Sequence, residues 1–271
     1  METSNKKLKV LCGCECSQVL TKAFHDLGHE AFSCDIQPAY GPSADKGWHL
    51  QGDVELIMKE KGPFDLICLF PPCVYLSCVG NRRMTAKKAD GTLKFPDRQQ
   101  QREDAIAFVQ RIFENAPSDC VMLESPKGVL STQWRQPNQR VCPTMFGDKM
   151  RKTTCLWTKN LPLLTQNGIR TMPDLVTTSR GQIVNAWHEN TKYLPQHLAT
   201  QIRSQLAPCF ARAIATQYSA HILGTPPPST AAHESIHDPM PMNETSLKSL
   251  STHKLHIVVQ SGGTLNIQIT N

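Results

Sequence analysis

Residues 64–77 read FDLICLFPPCVYLS, and the first half of that stretch decides the fold. Residues 64–70 are almost continuously apolar, without the alternation of a strand that keeps one wet face. A run of that length, bounded by prolines, reads as a strand buried on both sides, as in a parallel sheet covered by helices. Working outward, residues 8–12 read as a strand, 18–27 as a helix stopped by Gly28, and 30–34 as a second short strand. Residues 99–115 place Ala105, Phe108, Val109, Ile112 and Phe113 at helical spacing. Residues 120–123 form another buried strand and 153–157 a later one. Strands and helices alternating in this order imply a Rossmann-like α/β architecture, a mainly parallel sheet with helices on both faces.

The second half is less regular. Residues 161–188 carry Pro162, Gly168, Pro173 and Gly181 and read as irregular, whereas 195–223 read as helical, with Pro208 starting a second helix or making a kink. We expect residues 1–223 to form the main domain. Residues 224–253, rich in Pro, Ser, Thr and His, read as a linker. In residues 254–271, Leu255, Ile257 and Val259 alternate, Gly262-Gly263 can turn, and Leu265, Ile267 and Ile269 alternate again, a hairpin pattern. A lone two-stranded hairpin is marginal in water, so this one is expected to dock on the main domain or to mediate self-association.

The 271 residues are 39% apolar, enough for a sizeable core in the first 220, and carry no run of the ~18 apolar residues that would span a bilayer. The opening METSNKKLKV lacks the apolar stretch of a secretion signal. Eleven cysteines, an odd number without such a signal, suit reduced thiols, so the expected setting is intracellular, cytoplasm or nucleus, and not secreted. There is no C-x-x-C pair and no metal site is expected. Cys12, Cys14 and Cys16 would share one face of a strand as small buried hydrophobes.

The net charge of +6 is mild, and its placement is more telling. Arg82, Arg83, Lys87, Lys88, Lys94, Arg98 and Arg102 cluster after the central strand, and Lys149, Arg151 and Lys152 form a smaller group. Such clusters suit phosphate contacts, or they line an ordinary solvated loop.

In an open parallel sheet, ligands sit beyond the carboxyl ends of the strands. Asp35 follows the second strand, where an acid can hydrogen-bond ribose hydroxyls or form a turn. Asp53 in GlnGlyAsp can face the same cleft or cap a helix starting at Val54. After FDLICLF, Pro71 and Pro72 fix an extended exit and present Cys73 where a nucleophile would stand. After the next buried strand, Glu124 occupies the equivalent place. A thiol and a carboxyl so disposed can form a covalent pair, one attacking and the other supplying a proton.

These residues carry a resemblance. PPCVYLS with LESPKG resembles the motif pair of cytosine-C5 methyltransferases. CECSQVLTKAF, GHEAFSCDIQP, WHLQGDV, LESPKGVLSTQWRQP and FGDKMRKTTCLW are similar to segments of small phage and viral proteins described as DNA cytosine methyltransferases. The likeness covers about residues 8–218. It implies a class I methyltransferase sheet, S-adenosylmethionine as cofactor, and cytosine-containing DNA as partner. Cys73 would attack C6 of the target cytosine, and Glu124 would hydrogen-bond N3 and the exocyclic amine. Arg151 or Lys152 would be the basic residue near the nucleophile. Gly13, Glu15, Asp35, Asp53 and Pro71 would line the cofactor site, completed by a helix near residues 207–218. Arg82, Arg83, Lys87, Lys88 and Lys152 would contact nucleic acid, and residues 158–195 remain for target recognition. A target base within a duplex would have to be flipped out, and a basic loop beside the nucleophile suits that step.

Two alternatives stay open. The same chemistry can act on RNA or a free cytosine nucleotide. A non-catalytic nucleic-acid-binding homologue is favoured by the glycine-poor loop LCGCECSQ, where only Gly13 stands.

Overall fold

In the computed structural model, residues 6–44, 46–166, 168 and 170–226 are described, together with the backbone of 255–259 and 265–269. The main sheet has seven strands: β1 (Lys9–Gly13), β2 (Glu30–Asp35), β3 (His49–Gln51), β4 (Leu66–Leu69), β5 (Cys120–Pro126), β6 (Gln139–Val141) and β7 (Thr154–Lys159). Their order is β3-β2-β1-β4-β5-β7-β6. The first five run parallel, whereas β7 is antiparallel to both β5 and β6. The expected Rossmann-like sheet is present, and the strand read at residues 153–157 is the one that runs backwards.

Helices cover both faces because the buried strands offer apolar side chains to both. Val10 and Cys12 of β1, Leu66 and Cys68 of β4, and Met122 of β5 pack with α1 (Val19–Asp26) and the late helix, Pro208–Leu223. Leu11, Ile67, Leu69, Val121 and Leu123 face the other way, onto α2 (Val54–Lys61) and α3 (Arg98–Glu114). Each such side chain withdrawn from water contributes roughly 1.5–3 kcal/mol, so the two layers together hold the sheet.

A four-residue helix, α4 (Leu130–Gln133), follows β5. The region read as irregular contains a small hairpin of three-residue strands, β8 (Leu175–Thr177) and β9 (Ile183–Asn185), and then the short helix α5 (Ala186–Asn190). The helical stretch beyond it divides into α6 (Gln196–Ser204) and α7 (Pro208–Leu223). Pro208 sits in the first turn of α7, where its missing N–H leaves no bond unmade. The C-terminal hairpin pairs β10 (Leu255–Val259) with β11 (Leu265–Ile269) antiparallel. The expected linker beyond Pro226 and the Gly262-Gly263 turn lie outside the described residues. Among the described residues, no helix is long and apolar enough to cross a membrane.

The cysteine pattern near the N-terminus needs correction. β1 ends at Gly13, and Cys14 takes a left-handed conformation with φ 60°, so Cys12 alone lies on the strand. Cys12 is fully buried; Cys14 and Cys16 are half-buried in the loop beyond.

Candidate active site

The sheet reverses its strand order at β1, which has β2 on one side and β4 on the other. The crevice outside the carboxyl ends of β1, β2, β4 and β5 is where such a sheet builds a ligand site. Both residues of the expected covalent pair stand there. Cys73 follows β4 after buried Pro71 and exposed Pro72, and its carbonyl accepts from the backbone N–H of Leu76 (3.1 Å) and Ser77 (3.0 Å). Glu124 lies near the end of β5 and is buried. Thr154 Oγ1, at the start of β7, donates to Glu124 Oε1 and also lies 3.0 Å from the Ser125 carbonyl.

The two loops that carry these residues are stitched together. Ser77 and Gly128 form an antiparallel bridge. The Val129 N–H donates to the Leu76 carbonyl at 2.9 Å, and the Cys78 N–H to the Lys127 carbonyl at 3.2 Å. Gly128 closes the LESPKG segment, but a lone glycine there carries no sequence signal of this close approach.

The charges around the thiol explain its state. Although Cys73 is exposed, desolvation by the atoms packed around its thiol pushes it up; the Glu124 carboxylate pushes the same way, and Lys152 pulls it down. The basic residue that influences Cys73 is therefore Lys152, half-buried and anchored by its ammonium donating to the Arg203 carbonyl at 3.3 Å. Arg151 is exposed. Adjacent residues in an extended segment point opposite ways, so one of the two faces inward.

On the other side of the crevice, two of the expected cofactor carboxylates are engaged locally. Glu15 is buried, and its oxygens accept from the Leu20 N–H (2.8 Å), the Thr21 N–H (3.3 Å) and the Thr21 hydroxyl (2.7 Å). It thus satisfies the free N–H groups at the start of α1 from outside the helix. Asp53 accepts from the N–H groups of Glu55 (2.8 Å) and Leu56 (3.2 Å), the cap of α2 that the sequence allowed. Gly13 is closely packed: a Cβ there would lie 2.6 Å from Val54 Cγ2 and 3.0 Å from Leu69 Cδ2, so those side chains would have to shift. Asp35 stands half-buried at the end of β2, its Oδ1 accepting from the Gln37 N–H at 2.8 Å, with Ile36 beside it 68% exposed.

Between these lies Gln18, in a left-handed conformation at φ 58°. Its Nε2 donates to Ser33 Oγ at 3.1 Å, and its Oε1 is buried without a partner. Helix α6 is tied to segments on both sides: the Tyr40 hydroxyl, after β2, donates to the Gln201 carbonyl at 3.2 Å, and the Lys152 ammonium, before β7, donates to the Arg203 carbonyl. Helix α7 packs against α1 and brings the 207–218 segment beside the glycine-poor loop.

The loop between β4 and α3 begins with a short 3-10 turn at Cys78–Arg83. It continues as a small hairpin in which Lys88 and Thr92 bond at 2.9 Å, the Lys94 N–H reaches the Ala86 carbonyl at 2.8 Å, and Gly91 turns at φ 83°. Arg82, Arg83, Lys87 and Lys88 are all exposed on it. Arg98 and Arg102 are not; they turn inward beneath the same loop, 7% and 6% exposed.

No family model and no curated relative matches the chain. Among solved structures it is similar to the crystal structure of S. pombe Dnmt2 methyltransferase, at 12% sequence identity and a TM-score of 0.36. The matched region is 56% of this chain and spans about half, 49%, of that one.

Proposed function

We propose that the chain is an S-adenosylmethionine-dependent methyltransferase that modifies C5 of cytosine in DNA through a covalent bond to Cys73. The observation that carries this reading is the placement of Cys73 and Glu124 at the ends of adjacent parallel strands, their loops joined by the Ser77–Gly128 bridge, with Lys152 within electrostatic reach of the thiol. Cytosine C5 is a poor nucleophile until a group adds at C6. A soft thiolate does that, and a buried carboxyl in contact with N3 supplies the proton that accommodates the developing charge.

The residues present fit the cofactor. Asp35 offers a carboxylate at the edge of β2, exposed Ile36 offers an apolar surface next to it, and the unpartnered Gln18 Oε1 offers an acceptor within the loop. Bound there, S-adenosylmethionine would supply an electrophilic methyl group. The chain's own residues do the rest. As Cys73 Sγ bonds to C6, its thiol proton passes to the Glu124 carboxylate, which hands it on to N3 and so makes C5 nucleophilic. Once C5 carries the methyl group, solvent water takes the C5 proton, the double bond re-forms with expulsion of the Cys73 thiolate, and N3 returns its proton through Glu124 to the thiolate. Exposed Arg82, Arg83, Lys87 and Lys88 supply phosphate contacts for a nucleic acid entering beside Cys73.

Methyl transfer from labelled S-adenosylmethionine to duplex DNA, RNA and dCMP, with Cys73→Ala in parallel, tests the reading. Label on DNA that is lost in the variant supports it. Label on RNA or dCMP alone moves the substrate. Absence of label on all three from a folded protein would leave the non-catalytic nucleic-acid-binding reading, which the glycine-poor loop favours.

A further inference from the structure

The first two turns of α3 hold two buried guanidinium groups at i and i+4, on one face of the helix. Arg98 Nη2 donates to the Val74 carbonyl at 3.2 Å, and its guanidinium lies 5.0 Å from the centre of the Tyr75 ring. Arg102 Nε donates to the Tyr75 carbonyl at 3.0 Å, and its Nη2 to Asn81 Oδ1 at 2.8 Å. Neither forms an ion pair among the described residues, and Arg98 Nε is buried without a partner.

A charge taken out of water without an opposite charge is unfavourable, and here two like charges are neighbours. Burial, and then Arg98, pushes the Arg102 guanidinium below its usual range. Helix stability does not call for Arg98, because a positive charge in the first turn opposes the helix dipole. What the pair does is hold residues 74, 75 and 81, the segment that leaves Cys73. The same segment is tied on its other side by the Leu76 and Ser77 contacts to residues 128–129.

We propose that Arg98 and Arg102 are positioning residues for Cys73, their forked donors holding the backbone after it so that the thiol stays between Glu124 and Lys152. The place of this clamp in methyl transfer rests on the function proposed above; the clamp itself does not. The geometry requires arginine. Arg102 reaches a carbonyl and an amide side chain with two donors of one rigid plane, whereas lysine has a single point of attachment.

The test uses the full chain with Arg102→Lys, Arg102→Gln, Arg98→Lys and Asn81→Ala. Folding is checked by circular dichroism. The rate of Cys73 alkylation by iodoacetamide is followed against pH by peptide mass, with Cys120, at the opposite end of β5, as internal reference. Both Arg102 variants should move the Cys73 midpoint down toward the ordinary thiol value as the thiol leaves the desolvating wall, and the effect of Glu124→Gln on that midpoint should shrink. Asn81→Ala should shift it the same way by less. It removes one partly buried contact from an exposed side chain, so it decides the matter if the arginine variants do not fold. In methyl transfer, kcat should fall by about 100-fold in Arg102→Lys with KM for S-adenosylmethionine unchanged, as expected for a misplaced reacting group. A wild-type midpoint in the folded variants, or full rescue by lysine, would overturn the clamp. A shifted midpoint in variants of a protein that transfers no methyl group would keep the clamp and discard the methyltransferase.

Discussion

Gly128 lies so close to Leu76 that a methyl group on its α-carbon would stand 1.9 Å from the Leu76 carbonyl oxygen and 2.8 Å from its carbonyl carbon. Those are backbone atoms, so no rotamer change relieves the clash. The contact sits inside the bridge that joins the loop after β4 to the loop after β5, and thereby sets Cys73 against Glu124. Gly128→Ala should open the bridge and cost about 3 kcal/mol, the upper part of the range for overpacking. At about 2–4 °C per kcal/mol, calorimetry should show a fall in Tm of roughly 6–12 °C. Methyl transfer should fall further than stability does. An unchanged Tm would show that the loops are not held by this contact.

The titration of Cys73 follows from its neighbours. Its thiol is raised by desolvation, then by Glu124, and lowered by Lys152. Because the thiolate is the reacting species, alkylation of Cys73 should rise with pH to a midpoint above that of a free thiol. Glu124→Gln removes a negative charge and should lower the midpoint. Lys152→Met removes the positive one and should raise it. Arg151→Met should leave it in place. If the Arg151 variant moved the midpoint more than the Lys152 variant, the assignment of the basic residue would be reversed.

The architecture was legible where burial is two-sided. FDLICLF and residues 120–123 announce β4 and β5 because strands covered on both faces have no polar positions. Since a ligand site in such a sheet lies beyond its strands, the strand-end positions of Cys73 and Glu124 were legible as well. The direction of β7 was not legible, because apolar content carries no sign of parallel or antiparallel pairing. Three-residue strands such as β3, β6, β8 and β9 are too short to show a period. Acids after a strand are ambiguous by their chemistry: a carboxylate that can bind a ribose can equally accept helix N–H groups, and Glu15 and Asp53 do the latter. Arg98 and Arg102 were grouped with the exposed bases, since spacing shows which face of a helix they share but not that the face is covered.

Glu15 and Asp35 should therefore separate in their effects. Glu15→Ala removes the acceptors for two N–H groups of α1 and the Thr21 hydroxyl in a buried setting, and should cost about 2 kcal/mol in urea denaturation. Asp35→Ala, at a half-exposed turn, should change stability by less than about 1 kcal/mol. It should weaken S-adenosylmethionine binding by about 10-fold or more in calorimetry, the scale of a lost charge-assisted hydrogen bond. The reverse pattern, a stable Glu15 variant with lost cofactor affinity, would return Glu15 to the binding surface.

Alkaline stability is set by the thiols packed around β1 and β2. Burial, and then Asp35 and Asp53, raises Cys34 from its ordinary 9.0 to about 12. Cys12 and Cys68, both fully buried, are raised well above 9.0, in each case first by burial and then by Glu15. The unfolded chain ionises these thiols near pH 9 while the folded chain keeps them protonated. Between those values the folded state binds more protons, so stability falls as pH rises. Their stabilising contribution is fully present below pH 9 and is lost on the way to the folded value, at up to about 1.4 kcal/mol per pH unit for each thiol. The urea midpoint should hold from pH 7 to 8.5 and drop steadily from pH 9 to 11. Cys34→Ala, which has no proton to lose, should flatten the decline by one thiol's share even if its starting stability is lower. An identical slope in wild type and variant would show that the alkaline loss originates elsewhere.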